Sequence, residues 1–132
     1  MSEEYLKWFP IDGIPFPLDL EKFQKDEDGL TIDLNSEDHA DKVLRVYFAE
    51  YETFRETGEE FKTKFWHETD IEEDYPLFII ENSLWIEQFH QQSENNFRDL
   101  PIIHYAIWTT ENWIDILASS KPEVRWVDIE TL

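Results

Sequence analysis

Apolar residues alternate with polar ones along most of this chain, and recur at helical spacing in one stretch. Leu30, Ile32 and Leu34 share one face, with Thr31 and Asp33 on the other. A period of two marks a half-buried strand. Residues 18–24 lie before it, across Lys25-Asp26-Glu27-Asp28-Gly29. Asp-Gly supplies a turn with positive φ, so the two runs predict a hairpin. Residues 43–54 form the longest strand candidate. Leu44, Val46 and Phe48 point one way and Val43, Tyr47 and Tyr51 the other, which predicts that the first half is central in a sheet. Residues 61–67 alternate again and are expected to pair back onto it after Gly58. Residues 77–80 read as a buried strand. Residues 100–109 and 113–118 flank Thr110-Glu111-Asn112 as a further hairpin, and residues 124–129 close the chain as a last strand.

Leu84, Trp85, Ile86 and Phe89 recur at helical spacing, and Asn82 or Ser83 can cap the helix start. A helix over 83–93 is therefore predicted. Thr69-Asp70-Ile71-Glu72 has capping-box spacing but room for only one turn, because Tyr75 precedes Pro76. Pro10, Gly13, Pro15 and Pro17 punctuate residues 1–17, an apolar arm expected to pack on the body. The sum is one α+β domain over residues 1–132, with about seven mostly antiparallel strands and one main helix.

Composition changes the picture next. The 132 residues hold 31 Asp and Glu against 11 Lys and Arg, a net charge of −20, and 16% are aromatic. Disordered acidic chains lack aromatics, so a folded domain is expected. Nucleic acid and anionic membranes are disfavoured, since both demand clustered cations. Without cysteine, disulfide and thiolate chemistry are excluded. The start shows no signal-peptide pattern and no apolar run is long enough for a membrane span, so a cytoplasmic protein is expected.

The acids are uneven. Residues 50–74 hold Glu50, Glu52, Glu56, Glu59, Glu60, Glu68, Asp70, Glu72, Glu73 and Asp74 against Arg55, Lys62 and Lys64, a local charge of −7. Trp66 lies within this stretch. An aromatic ringed by charge is the form of an interface anchor for a basic protein. Trp8, Phe9 and Trp108 likewise fall outside the core periodicity.

Catalytic signals are sparse. The three glycines are far apart, which leaves no phosphate-cradling loop. A Ser-His-Asp triad is compatible with the composition, but no Gly-x-Ser-x-Gly elbow presents a serine. His39, His67, His90 and His104 show no metal-binding spacing, so no metal or other cofactor is expected. The turn around Asp28 lacks the alternating oxygen ligands of a calcium loop. Asp115 interrupts an apolar strand; if buried it needs partners, although alternation sets it opposite Ile114 and Ile116 at an expected half-exposed position. His104 and Asp115 are the pocket candidates.

The run His104-Tyr105-Ala106-Ile107-Trp108-Thr109, then Ile114-Asp115-Ile116-Leu117-Ala118, preceded by Glu81-Asn82-Ser83-Leu84-Trp85, resembles small acidic bacterial proteins of the toxin-immunity type. The resemblance covers roughly residues 77–118 and brings no catalytic residue with it. It implies a non-enzymatic protein that neutralises a basic toxin or nuclease. Two other readings remain open. One is a small-molecule or metal-binding domain, enzymatic or not, around His104 and Asp115. The other is a DNA mimic whose carboxylates are spaced like phosphates.

Overall fold

The computed structural model describes residues 2–58 and 74–129. Within them nine strands and one α-helix follow one another: β1 (Glu4–Lys7), β2 (Asp19–Asp26), β3 (Gly29–Asn35), β4 (Lys42–Phe48), β5 (Thr53–Gly58), β6 (Leu77–Glu81), α1 (Leu84–Gln92), β7 (Ile103–Trp108), β8 (Asn112–Ala118) and β9 (Glu123–Asp128). They form a five-stranded sheet, ordered β1-β6-β7-β8-β5, and a four-stranded sheet, ordered β2-β3-β4-β9. Every pairing is antiparallel.

The alternation explains how the sheets meet. Leu30, Ile32, Leu34, Leu44, Val46 and Phe48 of the four-stranded sheet join Leu77, Tyr105, Ile107, Ile114, Ile116 and Ala118 of the five-stranded sheet in one buried cluster. Strands β3, β4, β6, β7 and β8 thus each give one face to a core shared between the sheets. The second face of the five-stranded sheet is also covered. There Phe78, Ile80, Ala106, Trp108 and Trp113 form a smaller cluster under Tyr5 and Phe16.

The hairpin of β2 and β3 turns through Glu27 and Asp28, with Gly29 at φ 124°. Its glycine is also required by space: a Cβ there would stand 2.3 Å from the Phe48 carbonyl oxygen. Strand β4 is central, between β3 and β9, as its two apolar faces imply.

Four expectations need correction. Nine strands stand where about seven were expected. One addition is β1, inside the proline-punctuated arm, which pairs with β6 through Tyr5↔Ile80 and Leu6↔Ile79. The 43–54 run is not one strand: it leaves the four-stranded sheet after Phe48 and re-enters as β5 on the edge of the other sheet. The pattern turns acidic after Ala49, at Glu50 and Glu52, which predicts a strand leaving the core there but not its return in a second sheet. The strand of residues 100–109 starts at Ile103, because the segment after the helix continues in turns and a bend over 93–100. Finally, Trp8 and Trp108 belong to the packing: Trp8 lies 5.0 Å from Tyr105, ring centre to ring centre, and Trp108 lies 5.4 Å from Phe16. Phe9 alone of the described three remains open, 66% exposed beside Tyr75. The strand expected over residues 61–67 and the turn at 69–72 fall outside the described residues.

Candidate functional site

The helix start builds the site. Strand β6 ends at Glu81, Asn82 turns the chain at φ 55°, and Ser83 caps α1 with its Oγ accepting from the Ile86 amide at 3.1 Å. Asparagine tolerates this left-handed conformation better than most residues, which suits it to a strand–turn–helix corner. The Asn82 side chain is anchored on the Ser2 carbonyl, and the Glu3 carboxylate accepts from the Leu84 amide at 2.9 Å. An anionic group at a helix N-terminus is favoured by the orphan amides there.

Register brings the other side chains to this corner. Arg55 of β5 is directly opposite Asp115 of β8, and Ala106 of β7 is opposite Asp115 on its other side. His104, two residues before Ala106, is therefore a diagonal neighbour of Asp115 on the same face, within reach of a long side chain. The result is a chain of contacts across the sheet. Ser83 Oγ stands 2.7 Å from His104 Nδ1, and His104 Nε2 stands 2.7 Å from Asp115 Oδ1. Trp113 Nε1 donates to the same carboxylate oxygen at 2.9 Å, and Arg55 Nε donates to Oδ2 at 3.1 Å. Trp85 covers the group: its ring meets His104 edge-on at 5.4 Å and carries the Arg55 guanidinium 4.2 Å above it.

The expectation of a half-exposed Asp115 is overturned, since it is 1% exposed. Alternation shows which face of β8 a residue takes, not what covers that face. Covering comes from Trp85 of the helix and from the aromatic cluster around Trp113. Burial pushes the Asp115 carboxyl upward, but the hydrogen bond and charge of His104, the Arg55 charge and the Trp113 hydrogen bond together hold it below the ordinary carboxylate range.

That ionisation orients the imidazole. A carboxylate can only accept, so His104 donates from Nε2, and in the neutral imidazole Nδ1 is left as an acceptor. The Ser83 hydroxyl then donates to Nδ1, while its oxygen accepts from Ile86. Each polar atom of the relay has a partner, and the serine proton already lies on the line to the imidazole.

A pocket of about 430 Å³ opens beside the relay. Ser83 and His104 both line it, with Ile80, Ile86, Ile103 and Glu87 among the other walls. Asp115 stands behind His104 and does not line it. Among the described residues, no group of three or more His, Cys, Asp and Glu side chains comes together as metal ligands would. None of the described helices is long and apolar enough to cross a membrane.

The acidic stretch is described only at its two ends. Glu59, Glu60, Trp66, Glu68, Asp70, Glu72 and Glu73 lie outside the described residues. Glu52 accepts from the backbone and side chain of Ser119, at 2.8 and 2.6 Å. Glu56 is bonded to Asn112, and exposed Asp74 pairs with Lys7 at 2.9 Å. Glu50 is exposed, 3.4 Å from Ser120. Ser83, Arg55, Trp85 and Trp113 are the residues that sequence reasoning missed. A usable signal existed for Ser83, which stands at a strand-to-helix junction.

Asp115 also sets an acid limb. Its folded-state carboxyl lies below the unfolded value of about 3.9, so its contribution is complete above that value and is lost as pH falls through the folded pKa. Meanwhile the repulsion of a −20 chain relaxes as acids protonate toward the pI of about 4.3. Urea midpoints should therefore rise from pH 7 to about 5 and fall steeply below about 3.5. In Asp115→Asn the steep acid limb should flatten.

No family model, curated protein or solved structure matches the chain.

Proposed function

We propose that the protein binds a basic protein partner by charge complementarity, as an inhibitor or immunity protein that neutralises a toxin or nuclease. One observation carries this reading: acids outnumber Lys and Arg 31 to 11, and four of those few cations are held internally. Lys7, Arg45, Arg55 and Arg98 are each paired with an acid of the same chain, at 2.7–3.1 Å. The acids left over give a surface whose field steers cationic proteins inward and repels nucleic acid and anionic membranes. Cationic groups that hold phosphates in a nuclease cleft are the natural counterparts of such carboxylates. Glu50, Glu56 and Asp74 mark the described ends of the surface, and Trp66 is its proposed anchor. The same carboxylates serve the DNA-mimic version of this reading if they lie in a stripe.

Copurification from the native host would identify the partner, and stopped-flow mixing would then measure association at low and high salt. The rate is expected to fall by about tenfold or more with salt, and to fall again in a Glu50→Lys, Glu56→Lys double variant. An association rate indifferent to salt overturns the steering mechanism.

A second reading, a small-molecule pocket, has its own support. His104 and Asp115 stand 2.7 Å apart, and His104 lines the pocket at the start of α1. Titrating the protein with butyranilide, an uncharged amide with a short acyl chain, should shift the NMR amide signals of Ser83, Ile103 and His104. Shifts absent at these three residues refute a pocket for such ligands.

A further inference from the structure

We infer that Ser83 is a nucleophile activated by His104, and that the pocket beside it takes uncharged esters with a short apolar acyl chain. This goes beyond partner binding and rests on the pocket reading of the same site.

Three independent features converge on Ser83. First, its hydroxyl donates into a buried imidazole whose far nitrogen is held by a carboxylate. A weak nucleophile is activated by an adjacent base that a third group orients. Nδ1 faces the serine and Nε2 the acid; the logic requires only that one nitrogen accept while the other donates. Second, serine and imidazole both line one pocket, so a carbonyl carbon entering it meets both. Third, Ser83 sits where a strand turns sharply into a helix, with the φ of 55° on the preceding Asn82. Strand–turn–helix corners of this kind present nucleophilic serines, though here without flanking glycines.

The walls set the substrate class. Ile79, Ile80, Leu84, Ile86, Ile102 and Ile103 surround the relay with apolar surface, which suits an acyl chain. Glu81 and Glu87 at the same pocket, on a chain of charge −20, disfavour anionic substrates.

The chemistry balances within these residues. Ser83 Oγ attacks the ester carbonyl carbon while its proton passes to His104 Nδ1. The carbon–oxygen bond to the alcohol breaks, and the departing oxygen takes that proton from Nδ1. Water then attacks the acyl-serine, giving a proton to Nδ1; the bond to Oγ breaks and Oγ recovers the proton. The sum is ester plus water giving acid plus alcohol. Asp115 does not touch the substrate: it is a positioning residue that holds the imidazole in the required tautomer and faces the imidazolium as it forms. The Leu84 amide, now held by Glu3, becomes available to a carbonyl oxygen once Glu3 releases it.

The test uses the intact chain and a short-chain alkyl fluorophosphonate, which reacts with activated serines. Intact mass and peptide mapping should show one adduct, on Ser83. Ser83→Gly should show none, while its helix start is kept because glycine is a tolerated N-cap. His104→Gln should label about a hundredfold more slowly, and its labelling rate should lose the pH profile expected of the wild type. Asp115→Asn, checked for folding by circular dichroism, should displace that pH profile, which a merely structural carboxylate would not do. A folded wild type that gives no Ser83 adduct, or that labels other serines equally, overturns the inference. If butyranilide still shifts the pocket amides in that case, the pocket reading stands and the nucleophile alone is refuted. If it does not, both fall.

Discussion

Replacing Asp115 with alanine is expected to destabilise the fold by about 3–5 kcal/mol, the range for removing one partner from a buried charge network. The carboxylate serves three donors: His104 Nε2, Trp113 Nε1 and Arg55 Nε. Two of them belong to residues that are almost wholly buried, with His104 at 2% exposure and Trp113 at 1%. Without the acceptor, each buried N–H keeps its desolvation cost with nothing in return. Arg55, whose side chain is 45% exposed, can swing to water, so its loss is the smallest part. A urea titration at pH 7 measures the effect. The gap between wild type and variant should narrow as pH falls below about 3.5, because protonation removes the charge from Asp115 in the wild type as well. A loss of less than about 1 kcal/mol would mean that water already serves these donors. Asp115→Asn should cost less than the alanine variant, since the amide oxygen still accepts from one donor.

Much of this architecture was legible because the strands alternate. The face of β3 formed by Leu30, Ile32 and Leu34, the central place of β4, and the helix capped by Ser83 all follow from period and capping chemistry. What stayed hidden depends on partners far away in sequence. Tyr5 and Leu6 form a strand only because β6 presents an edge to them; by itself the arm reads as proline-broken coil. Likewise the acidic turn of the pattern after Ala49 tells that the chain leaves the core, but its entry into the other sheet as β5 is set by where that sheet lies and not by local preference.

The site divides along the same line. His104 and Asp115 were visible as polar residues interrupting apolar strands. Their meeting depends on hairpin register: with Trp108 opposite Trp113, His104 and Asp115 become diagonal neighbours on one face. Moving the pairing by a single residue would separate them to opposite faces. Ser83 reads from sequence as a helix cap, and it is one. Its second bond, to His104 Nδ1, requires the end of β6 to lie beside β7, which only the strand order supplies. The opposite case is Asp33, placed on the outer face of β3 by alternation, yet 1% exposed and clamped by Arg45 at 2.8 and 2.9 Å. Alternation sorts faces correctly in both strands and is silent on what covers them.

The second large effect is expected at the join between the sheets. Phe48→Ala should cost about 3–5 kcal/mol, the range for a large aromatic deleted from a packed core. Phe48 is 1% exposed and meets Tyr105 of the opposite sheet edge-on, with ring centres 5.4 Å apart. Its removal takes away apolar burial, an aromatic pair and the filling of the space between the layers. Little relaxation is available nearby. Leu30 is its partner across the ladder, and the Phe48 carbonyl already lies where a side chain on residue 29 would go. The strand therefore cannot sink toward β3 to close the void. Phe48→Leu retains most of the burial and should cost about 1–2 kcal/mol. Thermal and urea unfolding of the three proteins would measure the series. Equal losses in the alanine and leucine variants would locate the energy in the aromatic pair with Tyr105; a graded loss assigns it to packing between the sheets. The graded result is expected, because the ring pair contributes about 0.5–1.5 kcal/mol beyond its buried area, well short of what the cavity costs.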